Sequence, residues 1–203
     1  MRKLLTAAAL AAVAALATTA AVPGVAAQDK EGDRPAIVVP YVPTAKDVVT
    51  AMLKTAEVKE GDTVYDLGCG DGRIVISAVK DFKAKRGLGV DFNPERLKDC
   101  VKSMEAAKLS PEQTKAITFK QGDVLKLKPE DFKDVDVVTL YLLPSVNREL
   151  KPTLKAGLKK GARVVSHDFD MGDDWPAEKT LAVKATDDNG FEREHRVFLW
   201  TIK

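Results

Sequence analysis

Residues 64–76 read VYDLGCGDGRIVI, three glycines in five positions set between two apolar runs. An apolar run, a glycine turn and a second apolar run with helical spacing are the layout of strand, tight turn and helix. A strand of this kind is apolar on both faces, so it belongs inside a parallel sheet with helices packed on it. The rest of the chain repeats the unit. Strand-like runs at 63–67, 87–91, 116–120, 135–142 and 162–167 alternate with helix patterns at 72–83, from Asn93-Pro94-Glu95 onward, and at 145–158, ending at Gly161. A first helix precedes them, with Thr44 and Asp47 as its cap and Val48, Val49, Met52, Leu53 and Ala56 as its apolar face. The tail differs: 181–185 and 194–202 flank Asp187-Asp188-Asn189-Gly190, a hairpin signal. The expected fold class is therefore α/β, a Rossmann-like sheet with helices on both faces and a C-terminal antiparallel hairpin.

The glycine spacing narrows the ligand. Glycines let a ligand approach the backbone, and the free N–H groups of the following helix offer donors. Gly68, Gly70 and Gly72 form G-x-G-x-G, whereas the dinucleotide fingerprint G-x-G-x-x-G requires a glycine where Arg73 stands. Asp66, two residues before the first glycine, repels a pyrophosphate and suits a cationic ligand with an ammonium and a sulfonium. Asp91, at the end of the second strand, is placed to accept from both ribose hydroxyls. Asp123, in Gln121-Gly122-Asp123-Val124, is placed to accept from an exocyclic amine of adenine. The ligand these three carboxylates describe is S-adenosyl-L-methionine. Asp71 reads equally as a cofactor contact or as a helix cap. Cys69 reads as a small residue beside the ligand. A disulfide to Cys100 is not expected, since the loop and a helix face would have to converge.

The first residues carry a different message. Arg2 and Lys3 precede an uncharged, alanine-rich run from Leu4 to Val22, with Val25, Ala26 and Ala27 as a small-residue cleavage site. This is the pattern of a secretory signal peptide cut after about Ala27; the alternative is an uncleaved anchor. The expected organisation is a signal at 1–27, a linker at 28–39 and one domain from 40 to 203, exported to the periplasm or cell envelope. Any membrane association is expected only through that segment. Cleavage leaves 30 basic residues facing 30 acidic ones. The electrostatic footprint of a nucleic-acid binder is missing, so no nucleic-acid partner is expected.

DLGCGDG with GVDFNPE and QGDV resembles the class I methyltransferases. Three further segments sharpen the likeness: Pro40-Tyr41-Val42-Pro43-Thr44, Val137-Val138-Thr139-Leu140-Tyr141-Leu142-Leu143-Pro144, and Arg163-Val164-Val165-Ser166-His167. Together they are similar to the archaeal and mitochondrial protein-lysine methyltransferases, a family that includes the enzyme acting on the c subunit of ATP synthase. The resemblance implies a seven-stranded sheet, methyl transfer from S-adenosylmethionine to a protein lysine, and a YVPT-like segment lying over the cofactor. It implies acceptor-side roles for Tyr41, Leu143, Pro144 and Ser145. The expected cofactor set is Tyr41, Thr44, Asp66, Gly68, Cys69, Gly70, Asp71, Gly72, Asp91, Phe92, Asp123, Val124 and Tyr141.

Methyl transfer is an in-line displacement that needs alignment rather than a catalytic triad. The expected acceptor channel is Tyr41, Tyr141, Leu142 and Pro144, with Asn147 and His167 as nearby polar groups, although Tyr141 within an apolar strand reads first as core packing. No metal is expected, because no histidine and carboxylate stand at ligand spacing. His195 and Trp200 read as sheet residues, and Trp175 either covers the acceptor mouth or seals the core. A monomer is expected. An exported nucleoside-binding module without turnover and a small-molecule methyltransferase remain open alternatives at this stage.

Overall fold

Each strand, glycine or polar turn, and returning helix adds one parallel strand to a growing sheet. The computed structural model describes residues 41–203 and the backbone of Val25–Ala26. The expected signal and linker, that pair apart, lie outside the described residues. In chain order the strands are β1 (Val25–Ala26), β2 (Thr63–Leu67), β3 (Arg86–Asp91), β4 (Ile117–Gln121), β5 (Val137–Leu140), β6 (Arg163–His167), β7 (Lys179–Thr186) and β8 (Glu192–Thr201). They lie in the order β1-β4-β3-β2-β5-β6-β8-β7, with β8 antiparallel to both its neighbours. Short β1 lies parallel to Phe119–Lys120 on the outer edge of β4. The other seven are the expected sheet and its closing hairpin.

The order reverses direction at β2, with β3 and β4 on one side and β5 and β6 on the other. In such sheets the crevice at the carboxyl ends of the two central strands is the binding position. Here those ends are Leu67, which runs into the glycine turn, and Leu140.

Helices α1 (Lys46–Thr55), α2 (Arg73–Lys80) and α3 (Pro94–Ala106) cover one face, sharing a core with Val64, Phe119 and Val165. The other face carries α5 (Pro144–Gly157) and the 3-10 turns Val124–Lys126 and Pro129–Phe132, packed on Leu67, Leu140 and Trp200. Fully buried leucines such as Leu53, Leu140 and Leu154 each stabilise the fold by about 1.5–3 kcal/mol. Trp175 belongs to this second core. Its carbonyl accepts from the Trp200 indole N–H at 2.8 Å, and the ammonium of Lys155 lies 4.6 Å from its ring centre. It seals the core.

Four local expectations need correction. The cap of α1 is Ala45, with no side-chain bond, because the Thr44 hydroxyl turns inward to His167. Strand β5 stops at Leu140, not at 142: Leu67 is its last partner on β2 and Ser166 on β6, and beyond them β2 has become the glycine turn. Tyr141 is therefore half-buried past the strand end rather than inside the core. Helix α4 (Pro111–Ala116) was not expected, although Ser110 and Gln113 form a capping box around Pro111.

Candidate active site

The glycine turn is fastened to the neighbouring strand. The Val90 carbonyl accepts from both the Gly68 and Cys69 N–H groups, at 2.8 and 2.9 Å. Gly72, the N-cap of α2, has φ of 78°. A Cβ there would lie 2.5 Å from Cζ of Phe119 and 3.1 Å from Sγ of Cys100, so both conformation and space demand glycine. Asp91 locks the turn from the side: one carboxylate oxygen accepts from Gly70 N–H and the other from Asn93 N–H, each at 2.9 Å. Each oxygen retains a lone pair for a ligand hydroxyl.

Asp66 is buried, and the Thr139 hydroxyl donates to it at 2.6 Å. Burial pushes its pKa up to about 7, with the nearby charges of Asp91 and Asp71 adding to the effect and the Thr139 bond opposing it. A buried carboxylate beside two others is primed for a cation. Asp123 opens the next turn, its carboxylate accepting from Leu125 N–H at 2.9 Å. Phe92 is exposed beside Asp91, and Val124 packs at the rim of the second core.

Asp71 is bound to its own helix start. Both its oxygens are taken by the Arg73 guanidinium, at 2.7 Å for the closest contact, and one also accepts from the Arg73 backbone N–H. Arg73 further donates to the Thr44 carbonyl and to Asp188 of the hairpin. The 41–44 segment does lie over the glycine turn. The Tyr41 hydroxyl accepts from Asp71 N–H at 3.2 Å, its ring edge lies against Gly70, and the Arg96 guanidinium sits 4.4 Å over the ring.

The two cysteines are free thiols, and the loop and α3 do converge. Cys100 donates to the Gly70 carbonyl at 3.1 Å, and the neighbouring Cys100 thiol together with burial holds the Cys69 thiol well above its usual pKa. Sequence spacing gave no hint of this, because α3 reaches the loop only through the β2–β3 pairing.

On the other side of the crevice, Leu142 packs against Gly68. Leu143 is the N-cap of α5, Pro144 its first residue, and Ser145 is exposed at its start. Asn147 is no channel wall. It is fully buried, and its amide donates to the Ser166 hydroxyl and to the Phe169 and Asp170 carbonyls, fixing the chain after β6.

The same edge holds a cluster that sequence reading missed. His167 Nδ1 lies 3.2 Å from the Thr44 hydroxyl, and His167 Nε2 lies 2.8 Å from His195 Nδ1 and 3.3 Å from Asp168. The Tyr141 ring lies against His167 with centroids 3.9 Å apart and the planes tilted by 35°. Burial holds the His167 pKa down at about 4, so the imidazole is neutral at physiological pH. His167, Asp168 and His195 offer ligand atoms within 4.8 Å of one another, in contrast to the expectation of no such pair. The Asp168 oxygen nearest the histidines is already engaged by Arg193 at 2.7 Å. The available signal was the period-two row Arg193, His195, Val197 on β8, together with the β6–β8 register that sets Val197 opposite His167.

A crevice of this shape has known counterparts. The model of the ANTKMT methyltransferase domain matches residues 66–179. The chain belongs to the ANTKMT methyltransferase domain family. A protein-lysine N-methyltransferase of Saccharolobus islandicus is 42% identical over 164 residues, 81% of this chain and 94% of the relative. The mouse adenine nucleotide translocase lysine N-methyltransferase is 32% identical over 133 residues, 66% of this chain and 54% of that protein. A solved Salinibacter ruber protein, described as an RNA methyltransferase in complex with S-adenosyl-L-homocysteine, is 43% identical. That structure covers 79% of this chain and 94% of its own, with a TM-score of 0.66.

This methyltransferase uses S-adenosylmethionine, and its donor set fits that molecule. Asp66 is a buried carboxyl, Asp91 presents two acceptor oxygens, and the glycine turn leaves a bare backbone between them. A pH dependence follows. The folded-state pKa of Asp66 lies above its unfolded value, so its contribution to apo stability is greatest below pH 4 and is lost as pH rises through about 7. Cofactor binding needs the carboxylate, so affinity should rise up to about tenfold per pH unit below 7 and level off above it. Calorimetry from pH 5.5 to 8.5 checks this. Asp66→Asn should flatten the profile, weaken binding, and raise the apo melting temperature at pH 8 by about 2–4 °C.

Proposed function

We propose that this methyltransferase acts on a lysine side chain of a protein. The observation that carries the reading is the 42% identity to a protein-lysine N-methyltransferase across 94% of that relative's length. The acceptor edge agrees with it in kind. Leu142 packs against Gly68 at the crevice, and its half-buried chain neighbours Tyr141, Leu143 and Pro144 continue an apolar run from it.

When bound, the cofactor supplies an activated methyl group on a sulfonium. The protein's own task is binding, orientation and desolvation. Asp66 would hold the ammonium, Asp91 the ribose hydroxyls, and Asp123 with Phe92 and Val124 would border the adenine. Tyr41 lies over the glycine turn and closes the crevice from above. An acceptor lysine attacks as the neutral amine, which at an ordinary pKa of about 10.4 is present at roughly one part in 2,500 at pH 7, costing ~4–5 kcal/mol. An apolar rim lowers that cost by disfavouring the ammonium. No side chain need then act as a base.

Turnover under limiting acceptor should therefore rise about tenfold per pH unit from pH 7 to 9 on a lysine-containing protein, once cofactor is saturating. A flat profile over that range contradicts a lysine acceptor. RNA is the second reading, because the Salinibacter ruber relative is described as an RNA methyltransferase. The balance of 30 basic and 30 acidic residues after position 27 favours protein over RNA.

We further propose export, from the basic start, uncharged run and small-residue site within residues 1–27. The working domain is then 40–203, a monomer in the envelope. Cell fractionation of a tagged chain tests this; full-length protein confined to the cytosol refutes it.

A further inference from the structure

We propose that Arg193 of the terminal hairpin, braced by Asp168, is a positioning residue that holds Tyr141 at the acceptor edge. The inference rests on the placement of the acceptor beside Tyr141 given above. Tyr141 lies past the end of β5, where no strand neighbour fixes it. Three contacts take over, the first a Phe169 ring stacked on it with centroids 6.2 Å apart. His167 lies under its ring at 3.9 Å, and Arg193 Nη2 donates to its hydroxyl at 3.4 Å. The same Nη2 is 2.7 Å from Asp168 Oδ2.

Asp168 is itself held in an uncommon state. Its φ is 59°, the left-handed region that non-glycine residues seldom adopt. The surroundings enforce it: its N–H donates to the Arg196 carbonyl at 2.7 Å, and Oδ1 accepts from Arg196 N–H at 2.9 Å. Its Oδ2 is shared by Arg193 and His167. Backbone strain kept in place by this many bonds gathers at functional edges. The hairpin thus reaches back to the crevice, and through Arg193 it sets the tyrosine that walls the acceptor side. Small misplacement of such a wall costs turnover out of proportion to its binding energy.

The discriminating variant is Arg193→Lys. It keeps a cation beside Asp168, but the lysine chain ends one atom short of Nη2 and cannot serve both partners. The melting temperature should stay within about 2 °C of wild type, and the dissociation constant for S-adenosylhomocysteine within about threefold. Turnover at saturating acceptor should fall between about 10- and 100-fold. Tyr141→Phe should fall similarly, and the double variant no further than either single one. The chain has only 3 tyrosines, so the ζ-carbon resonance of Tyr141 can be assigned by labelling, and it should shift in Arg193→Lys whatever the acceptor is. Turnover is measured on whichever fraction wild type labels, so an RNA acceptor sinks the lysine reading while leaving this comparison intact. Wild-type turnover in Arg193→Lys, an unmoved Tyr141 resonance, or multiplicative losses in the double variant would overturn the proposal.

Discussion

Asp91→Ala should weaken the binding of S-adenosylmethionine and S-adenosylhomocysteine about 100- to 1,000-fold. The carboxylate serves two masters. Inward, it takes the Gly70 and Asn93 N–H groups and so fixes both the glycine turn and the start of α3. Outward, its remaining lone pairs are the ones proposed to accept from the ribose hydroxyls. Hydrogen bonds to a charged group are worth ~1.5–3 kcal/mol each, and removing the acceptor leaves partly buried donors unpaired. Calorimetry with S-adenosylhomocysteine reads the loss directly. Asp91→Asn keeps one acceptor oxygen and should fall between wild type and alanine. An Asp91→Ala affinity within threefold of wild type would remove Asp91 from the site.

Gly72→Val should cost more than any other single change in the loop. At φ of 78° a side chain costs ~1–2 kcal/mol. The added Cβ would meet the Phe119 ring at 2.5 and 2.8 Å and Cys100 Sγ at 3.1 Å. Overpacking of a filled core adds ~1–3 kcal/mol. The sum, ~2–5 kcal/mol, is a large part of the ~5–15 kcal/mol by which a domain of this kind is stable. Urea denaturation should show the midpoint falling at nearly constant slope, with cofactor binding lost as the turn moves. Gly61→Val supplies the control. Its φ is 93°, but nothing lies within 4 Å of the added Cβ, so only the conformational part of the cost applies. Equal losses at the two positions would show that the Phe119 contact does not matter.

The features legible in the sequence were those set by local spacing. The alternation of apolar runs with turns placed the parallel strands β2 to β6, and the Asn93-Pro94 pair marked the start of α3, where the Asn93 side chain does accept from Glu95 N–H. Three carboxylates at three successive strand ends marked the crevice. What stayed hidden depended on strand order and register. Thr44 read as a helix cap because helix caps are local, yet its partner is His167, 123 positions away. Tyr141 read as core because its neighbours are apolar; only the end of pairing after Leu140 shows that it leaves the sheet. His195 and Arg193 reach the acceptor edge because β8 lies antiparallel beside β6, which no local pattern states. Asp71 kept two readings in sequence because the Arg73 side chain that claims it turns back on its own helix start.

On the function proposed above, the Asp66 and Asp91 crevice delivers a methyl group to a protein lysine beside Tyr141. The most direct measurement incubates the purified protein with methyl-tritiated S-adenosylmethionine and an envelope extract, then hydrolyses the labelled protein and separates its amino acids. Radioactivity should appear in methylated lysine and be abolished in Asp91→Ala. Label in the RNA fraction, or donor bound without transfer to any fraction, would contradict it.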